Sequence, residues 1–262
     1  TPQDLETFGG RDNWEDEELW NYEVGMKSAV MGGRGTFNVA VFYQDIKDLQ
    51  ATVTAGSCSS RVVFNVPSAH SVGLEMELAI QQTERFDWAL TASYIEAKLD
   101  STVSSTGSDG STTVVGGIKD GNRLATVPEL QAAAAASYVF PMTGEWEGYV
   151  NGIVQYVGDR YTQIGDQAEG FGTVNLLSFE PNTIGGPLTQ SVFTFNPLLP
   201  SYTVANARFG MRKDRWDVAI YVNNLTDELA YLALDQERGT RARVGYLVNQ
   251  PRTYGITARM EF

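Results

Sequence analysis

Histidine and cysteine each occur once in the 262 residues, as His70 and Cys58, and that limits the chemistry open to the chain. A disulfide framework and a Cys/His metal site both need more of these residues than one copy supplies. A Ser-His-Asp relay would have to use His70. Yet Ala69-His70-Ser71 reads as the start of a strand, and no Gly-x-Ser-x-Gly elbow occurs. Cys58, flanked by Gly56, Ser57, Ser59 and Ser60, reads as a loop thiol. No catalytic residue, metal site or cofactor is therefore expected. The other candidates are cations. Arg238, Arg241 and Arg243 cluster in one loop and Arg208 lies on the polar face of a strand, where a guanidinium fork suits an anionic ligand. A solvated run of charge is the competing reading.

The balance of 32 acidic against 19 basic residues, a net charge of −13, argues against nucleic acid as a partner. No run of about eighteen apolar residues occurs, so no transmembrane helix is expected. A barrel strand needs only about ten residues of alternating character, so membrane insertion stays open.

Alternation is what positions these residues. The clearest example ends the chain: Tyr254, Ile256, Ala258, Met260 and Phe262 alternate with Thr253, Gly255, Thr257, Arg259 and Glu261. Successive strand side chains point to opposite faces, so one face is apolar and the other polar. Strands of the same kind are predicted from about Leu19 to Ser28, through Phe37–Tyr43, from about Ser71 to Gln81, and from Phe86 to Tyr94. Four more follow at Trp146–Tyr156, Tyr202–Met211, Trp216–Asn223 and in the terminal stretch. Pro128–Phe140 is also read as strand; Ala132–Ala136 favours helix, but Leu130, Tyr138 and Phe140 keep a period of two. Glu75 and Glu77 lie opposite Leu74, Met76 and Leu78, which fixes the polar face as the one away from lipid. Loops are expected at Thr1–Glu18, about Ala55–Ala69, a flexible Asp100–Asn122, about Gly158–Pro200 and about Glu228–Gln250.

These nine strands are joined by alternating tight and long connections, the asymmetry of outer-membrane barrels. The aromatics sort the same way. Phe37, Phe86, Trp88, Phe140, Trp146, Phe209, Trp216 and Phe262 fall beside the tight turns or the C-terminus, on the apolar face. Trp20, Tyr22, Tyr43, Tyr94, Tyr156, Tyr202 and Tyr254 fall near the long loops. Two such girdles, with Trp20, Tyr22, Trp88, Trp146 and Trp216 as interface anchors, mark the two surfaces of a bilayer. A soluble sandwich explains the alternation but not this sorting. The fold class is all-β, a transmembrane antiparallel β-barrel.

Pro251-Arg252-Thr253-Tyr254-Gly255 leading to Phe262, after Val222-Asn223-Asn224-Leu225-Thr226-Asp227, resembles the C-terminal end of TonB-dependent outer-membrane receptors. Trp20–Ser28, Val41–Gln50 and Gly73–Leu78 resemble strands of the same barrels. The resemblance implies a 22-stranded barrel with a plugged lumen, of which 1–262 is a partial barrel domain holding the last nine strands, with the N-terminal plug domain absent. Strand parity agrees, because nine antiparallel strands cannot close alone with every neighbour antiparallel. The resemblance further implies a receptor in the Gram-negative outer membrane that takes up an iron–siderophore or related scarce complex, driven by the TonB energy-transducing complex. It also implies contact with outer-membrane lipid, and assembly through the terminal strand (Tyr254, Ile256, Ala258, Met260, Phe262) by the barrel-assembly machinery. No chemical step is catalysed, so the chain is not an enzyme. A passive, porin-like channel is the alternative. The face assignment is testable: Leu78→Arg should cost roughly 2–4 kcal/mol if it lies near the bilayer midplane. If the full-length receptor tolerates it as well as Gln81→Arg, the assignment is wrong.

Overall fold

A computed structural model describes residues 13–55, 60–175, 191–237 and 243–262. Nine strands form one sheet in sequence order, each antiparallel to its chain neighbour. They are β1 (Glu18–Val30), β2 (Gly35–Ala55), β3 (Ser60–Thr83), β4 (Phe86–Leu99), β5 (Leu130–Pro141), β6 (Glu147–Val157), β7 (Tyr202–Lys213), β8 (Trp216–Asn223) and β9 (Thr253–Met260). The alanine-rich segment is strand throughout: Ala134 pairs with Leu90 on one side and Val154 on the other. Two adjacent ladders outweigh the helix propensity of alanine.

Tight turns close one end of the sheet. Gly32 and Gly33, at φ 69° and 89°, reverse the chain between β1 and β2, and Asp214 at φ 52° does so between β7 and β8. The opposite end carries the long connections. β2 and β3, however, run past the expected loop at 55–69 as a continuous ladder to Ala55 opposite Ser60. A 21-residue strand reaches about 70 Å at about 3.3 Å per residue, so this hairpin stands well clear of a bilayer. Asp48, at φ 53°, and Pro67 fall together where the ladder passes from Lys47↔Ser68 to Leu49↔Val66, so the two irregularities coincide and cost the ladder a single pair. Residues 13–17 lie along this hairpin, with the Glu17 carboxylate accepting from Gln50 N at 2.9 Å. The rest of the loop expected at Thr1–Glu18, residues 1–12, lies outside the described residues, as does Cys58.

The two faces differ as alternation requires. Val24, Val41, Leu74, Ile220 and Ile256 lie exposed on the apolar face, Val24 at 81% and Ile256 at 75%. Trp20, Tyr22, Tyr43, Tyr94 and Trp216 are exposed there too, while Trp88 and Trp146 are half-buried. Tyr202 departs from the expected girdle. It pairs with Val157 while Phe209, an odd number of residues later, pairs with Val150. The two rings therefore lie on opposite faces, and Tyr202 sits on the polar one beneath the Arg160 guanidinium, 5.5 Å away.

The buried core is at the loop end. Ile46, Ala69 and Leu99 make the polar face apolar there, and Val103, Val115 and Ile118 from the β4–β5 connection pack onto them with Ala51 and Val66. The connection expected to be a flexible loop at Asp100–Asn122 is thus folded. Leu99 N donates to Asn122 O, Val115 N to Val103 O, and Leu124 N to Ala97 O, each within 2.9 Å. Its serines, threonines and glycines supply turns, and its few large apolar residues supply the burial. Ile118 has no exposed surface. Ile118→Ala should cost about 2–5 kcal/mol locally, visible as faster amide hydrogen exchange at Val103 and Val115 with β5 unaffected.

Candidate functional site

The polar face holds two troughs. The upper, of about 790 Å³, is lined by Glu23, Lys27, Asn38, Glu75, Glu77 and Gln155 among others. The Asn38 amide donates to Glu77 at 3.2 Å. The lower, of about 810 Å³, includes Asp87, Asn151, Asn206, Arg208 and Thr257. Arg208, a candidate ligand cation, is engaged by its neighbours here. Its Nε donates to the Tyr149 hydroxyl at 3.2 Å and its Nη2 to Thr257 at 3.0 Å, with the Asp217 carboxylate 3.7 Å away. Sequence reasoning alone does not single out Tyr149 and Asp217. The available signal is a large ring, Tyr149, in the polar phase of its strand.

Above the troughs, three connections are stitched into one body. From β4–β5, the Asn122 amide donates to Gly117 O at 2.8 Å and to Ile164 O at 3.1 Å. Arg123 donates to the carboxylate and carbonyl of Asp159, at 3.2 and 2.7 Å. Gln167 both accepts from Arg123 N and donates to Arg123 O, at 2.9 and 2.8 Å. Arg160, 8% exposed, carries the link to the β8–β9 connection. Its Nη2 donates to the carbonyls of Tyr231 and Leu232, both at 3.2 Å. Those residues open a hairpin of Tyr231–Glu237 against Arg243–Val248, inside the segment expected to be loop at Glu228–Gln250. In that hairpin the Tyr246 hydroxyl donates to Asn196 O at 2.9 Å. Burial, reinforced by nearby Tyr231, pushes its pKa up and keeps it a donor. At the base of the connection Asn224, 3% exposed, donates to Glu228 O and Gln250 O.

Of the loop arginines, Arg243 begins the second strand of this hairpin, whereas Arg238 and Arg241 lie outside the described residues. Arg208 is in β7, so the two described arginines lie on different elements. His70 sits on the apolar face at the loop end, stacked on Tyr43 at 6.3 Å. Its Nδ1–H donates to the Asp100 carboxylate at 2.7 Å, a contact that ties β3 to the start of the β4–β5 connection. The stitching predicts that Arg160→Ala loosens the Tyr231–Val248 hairpin. Added protease should then cut there severalfold faster on intact cells, with cleavage in the β2–β3 hairpin unchanged.

Residues 1–225 match a family described as TonB dependent receptor-like, beta-barrel. Solved structures show the same fold. The ferric yersiniabactin uptake receptor FyuA of Yersinia pestis aligns with a TM-score of 0.66 at 20% identity, over 94% of this chain and 30% of its own. The siderophore receptor PiuA of Acinetobacter baumannii gives 0.63 at 16% identity, over 95% and 29%. The copper transporter OprC gives 0.58 at 12% identity, over 96% and 32%. The chain thus spans about 30% of the length of the receptors it matches.

Proposed function

The chain belongs to the TonB-dependent receptor β-barrel family, and from that membership we propose that it forms part of the wall and mouth of an outer-membrane receptor for a ferric siderophore or related scarce complex. Uptake draws energy from the TonB system, through parts of the protein beyond the barrel wall. Strands outside residues 1–262 complete the ring, and a plug domain fills the lumen. The observation that carries this reading is the single nine-stranded sheet of this family, one face apolar and exposed, the other polar and troughed. In water such an apolar face would aggregate; against lipid it is a wall.

The roles of individual groups follow. Trp20, Tyr22, Trp88, Trp146 and Trp216 anchor the two membrane interfaces, where rings with one polar edge are at home. Glu75, Glu77, Asn151 and Gln155 present a wetted surface to the plug. Arg238, Arg241 and Arg243, in the loop before β9, meet the anionic part of the incoming complex. The terminal strand through Phe262 is the element handed to the barrel-assembly machinery. Binding and passage involve no bond-making, so the protein is a transporter and not an enzyme.

The test is uptake of radiolabelled ferric siderophores by the full-length protein, in a Gram-negative strain stripped of its own siderophore receptors. Uptake of at least one complex should be saturable and should vanish when the TonB complex is inactivated. Uptake unaffected by that inactivation, with steady ion conductance in planar bilayers, would identify a passive channel instead.

A further inference from the structure

The inner wall near the tight turns carries a cluster drawn from four consecutive strands: Tyr149 of β6, Arg208 of β7, Asp217 of β8 and Thr257 of β9. Along one row of the ladder Tyr149 stands opposite Gly210, Gly210 opposite Ala219, and Ala219 opposite Thr257. With only a glycine and an alanine in its way, the Tyr149 ring lies flat across β7. A Cβ on Gly210 would meet that ring at 2.3 Å. Its hydroxyl donates to Asp217 on β8 at 2.8 Å while accepting from Arg208. Arg208 in turn reaches over β8 to Thr257. At the next position on the same face, Tyr221 covers Gly255, where a Cβ would come 2.7 Å from the phenol oxygen.

An antiparallel ladder is nearly indifferent to register. A slip of two residues keeps every side chain on its own face and remakes most of the backbone bonds. Turns normally settle the matter, as Asp214–Arg215 does between β7 and β8. The connections from β6 to β7 and from β8 to β9 are long, so no tight turn sets the register there, and loop contacts such as Asn224 with Gln250 tie the strand ends only once the connection has folded. The cluster spans those two junctions. After a slip of two, Tyr149 would meet Arg208 or Arg212 in place of Gly210, and Tyr221 would meet Thr253 or Thr257 in place of Gly255.

We propose that Tyr149, Arg208, Asp217 and Thr257, with Tyr149 seated on Gly210 and Tyr221 on Gly255, form a lumen-side clamp that selects the register of β7 on β6 and of β9 on β8 as the barrel assembles. Arg208 is a positioning residue that binds the wall to itself.

The experiment is pulse-chase assembly of the full-length receptor in cells, read as the heat-modifiable band, in a background without other cysteines. Tyr149→Phe keeps the ring but loses both hydroxyl bonds, and should slow assembly at least about fivefold, the equivalent of roughly one net hydrogen bond or more. Gly210→Ala should slow it further, yet add nothing in a Tyr149→Ala background, where no ring remains to be displaced. Register is read by disulfide trapping. Val222→Cys with Tyr254→Cys reports the native pairing, and Val222→Cys with Ile256→Cys reports a slip of two. The slipped disulfide should form in Tyr149→Ala, Arg208→Met and not with the clamp intact. Wild-type assembly rates, an equal Gly210→Ala effect in both backgrounds, or slow assembly that traps the native pair alone would each overturn the proposal.

Discussion

Hydrocarbon offers no partner to a peptide N–H or C=O, so every backbone group that crosses it must be paired within the protein. The nine-stranded ladder answers that constraint everywhere except along the outer edges of β1 and β9, and most of the structure follows from it. A pleated ladder sends successive side chains to opposite sides. The apolar set, from Val24 on β1 to Ile256 on β9, then forms one surface, and the polar set with Glu75, Glu77 and Arg208 forms the other. The aromatics proposed for the girdles need no added device, since an apolar strand position that reaches the end of the hydrocarbon suits such a ring.

The constraint lapses where the strands leave the membrane, and the structure changes character there. Ile46, Ala69 and Leu99 occupy positions that would be polar lower down, and on them rests a folded β4–β5 connection. The mouth is built as a small soluble domain is built, by burying apolar side chains around paired backbone. Arg123, Arg160 and Gln167 extend that order to the connections on either side. Under the receptor function proposed above, a mouth ordered this way lowers the ordering cost of binding.

The strand phases, the faces and the tight turns are legible in the sequence because alternation is a local signal. What is not legible depends on partners distant in sequence. From Ser60 on, the loop expected at about Ala55–Ala69 is ladder instead, because β2 supplies it with partners from Ala55 to Leu49 and resumes beyond Pro67. Val103, Val115 and Ile118 are hidden among residues that signal a flexible loop, and only the surface waiting at Ile46 and Leu99 explains their burial. Tyr202 joins the girdle by its place in the chain, though its phase puts it on the other face. For the arginines, residue type suggests chemistry, but only the structure reveals that Arg208 is occupied by Tyr149 and Thr257.

Four glycines in the wall lie under aromatic rings of the neighbouring strand: Gly73 under Phe42, Gly148 under Phe140, Gly210 under Tyr149 and Gly255 under Tyr221. Each ring restores the packing that a glycine cannot supply. Each such pair is also a joint heritable unit. A side chain gained at the glycine collides with the ring, and a ring lost bares the glycine, so neither partner drifts freely on its own. Among descendants of this barrel, the two positions should therefore change together or stay as they are, and the rate at which this part of the wall diverges is set by double events.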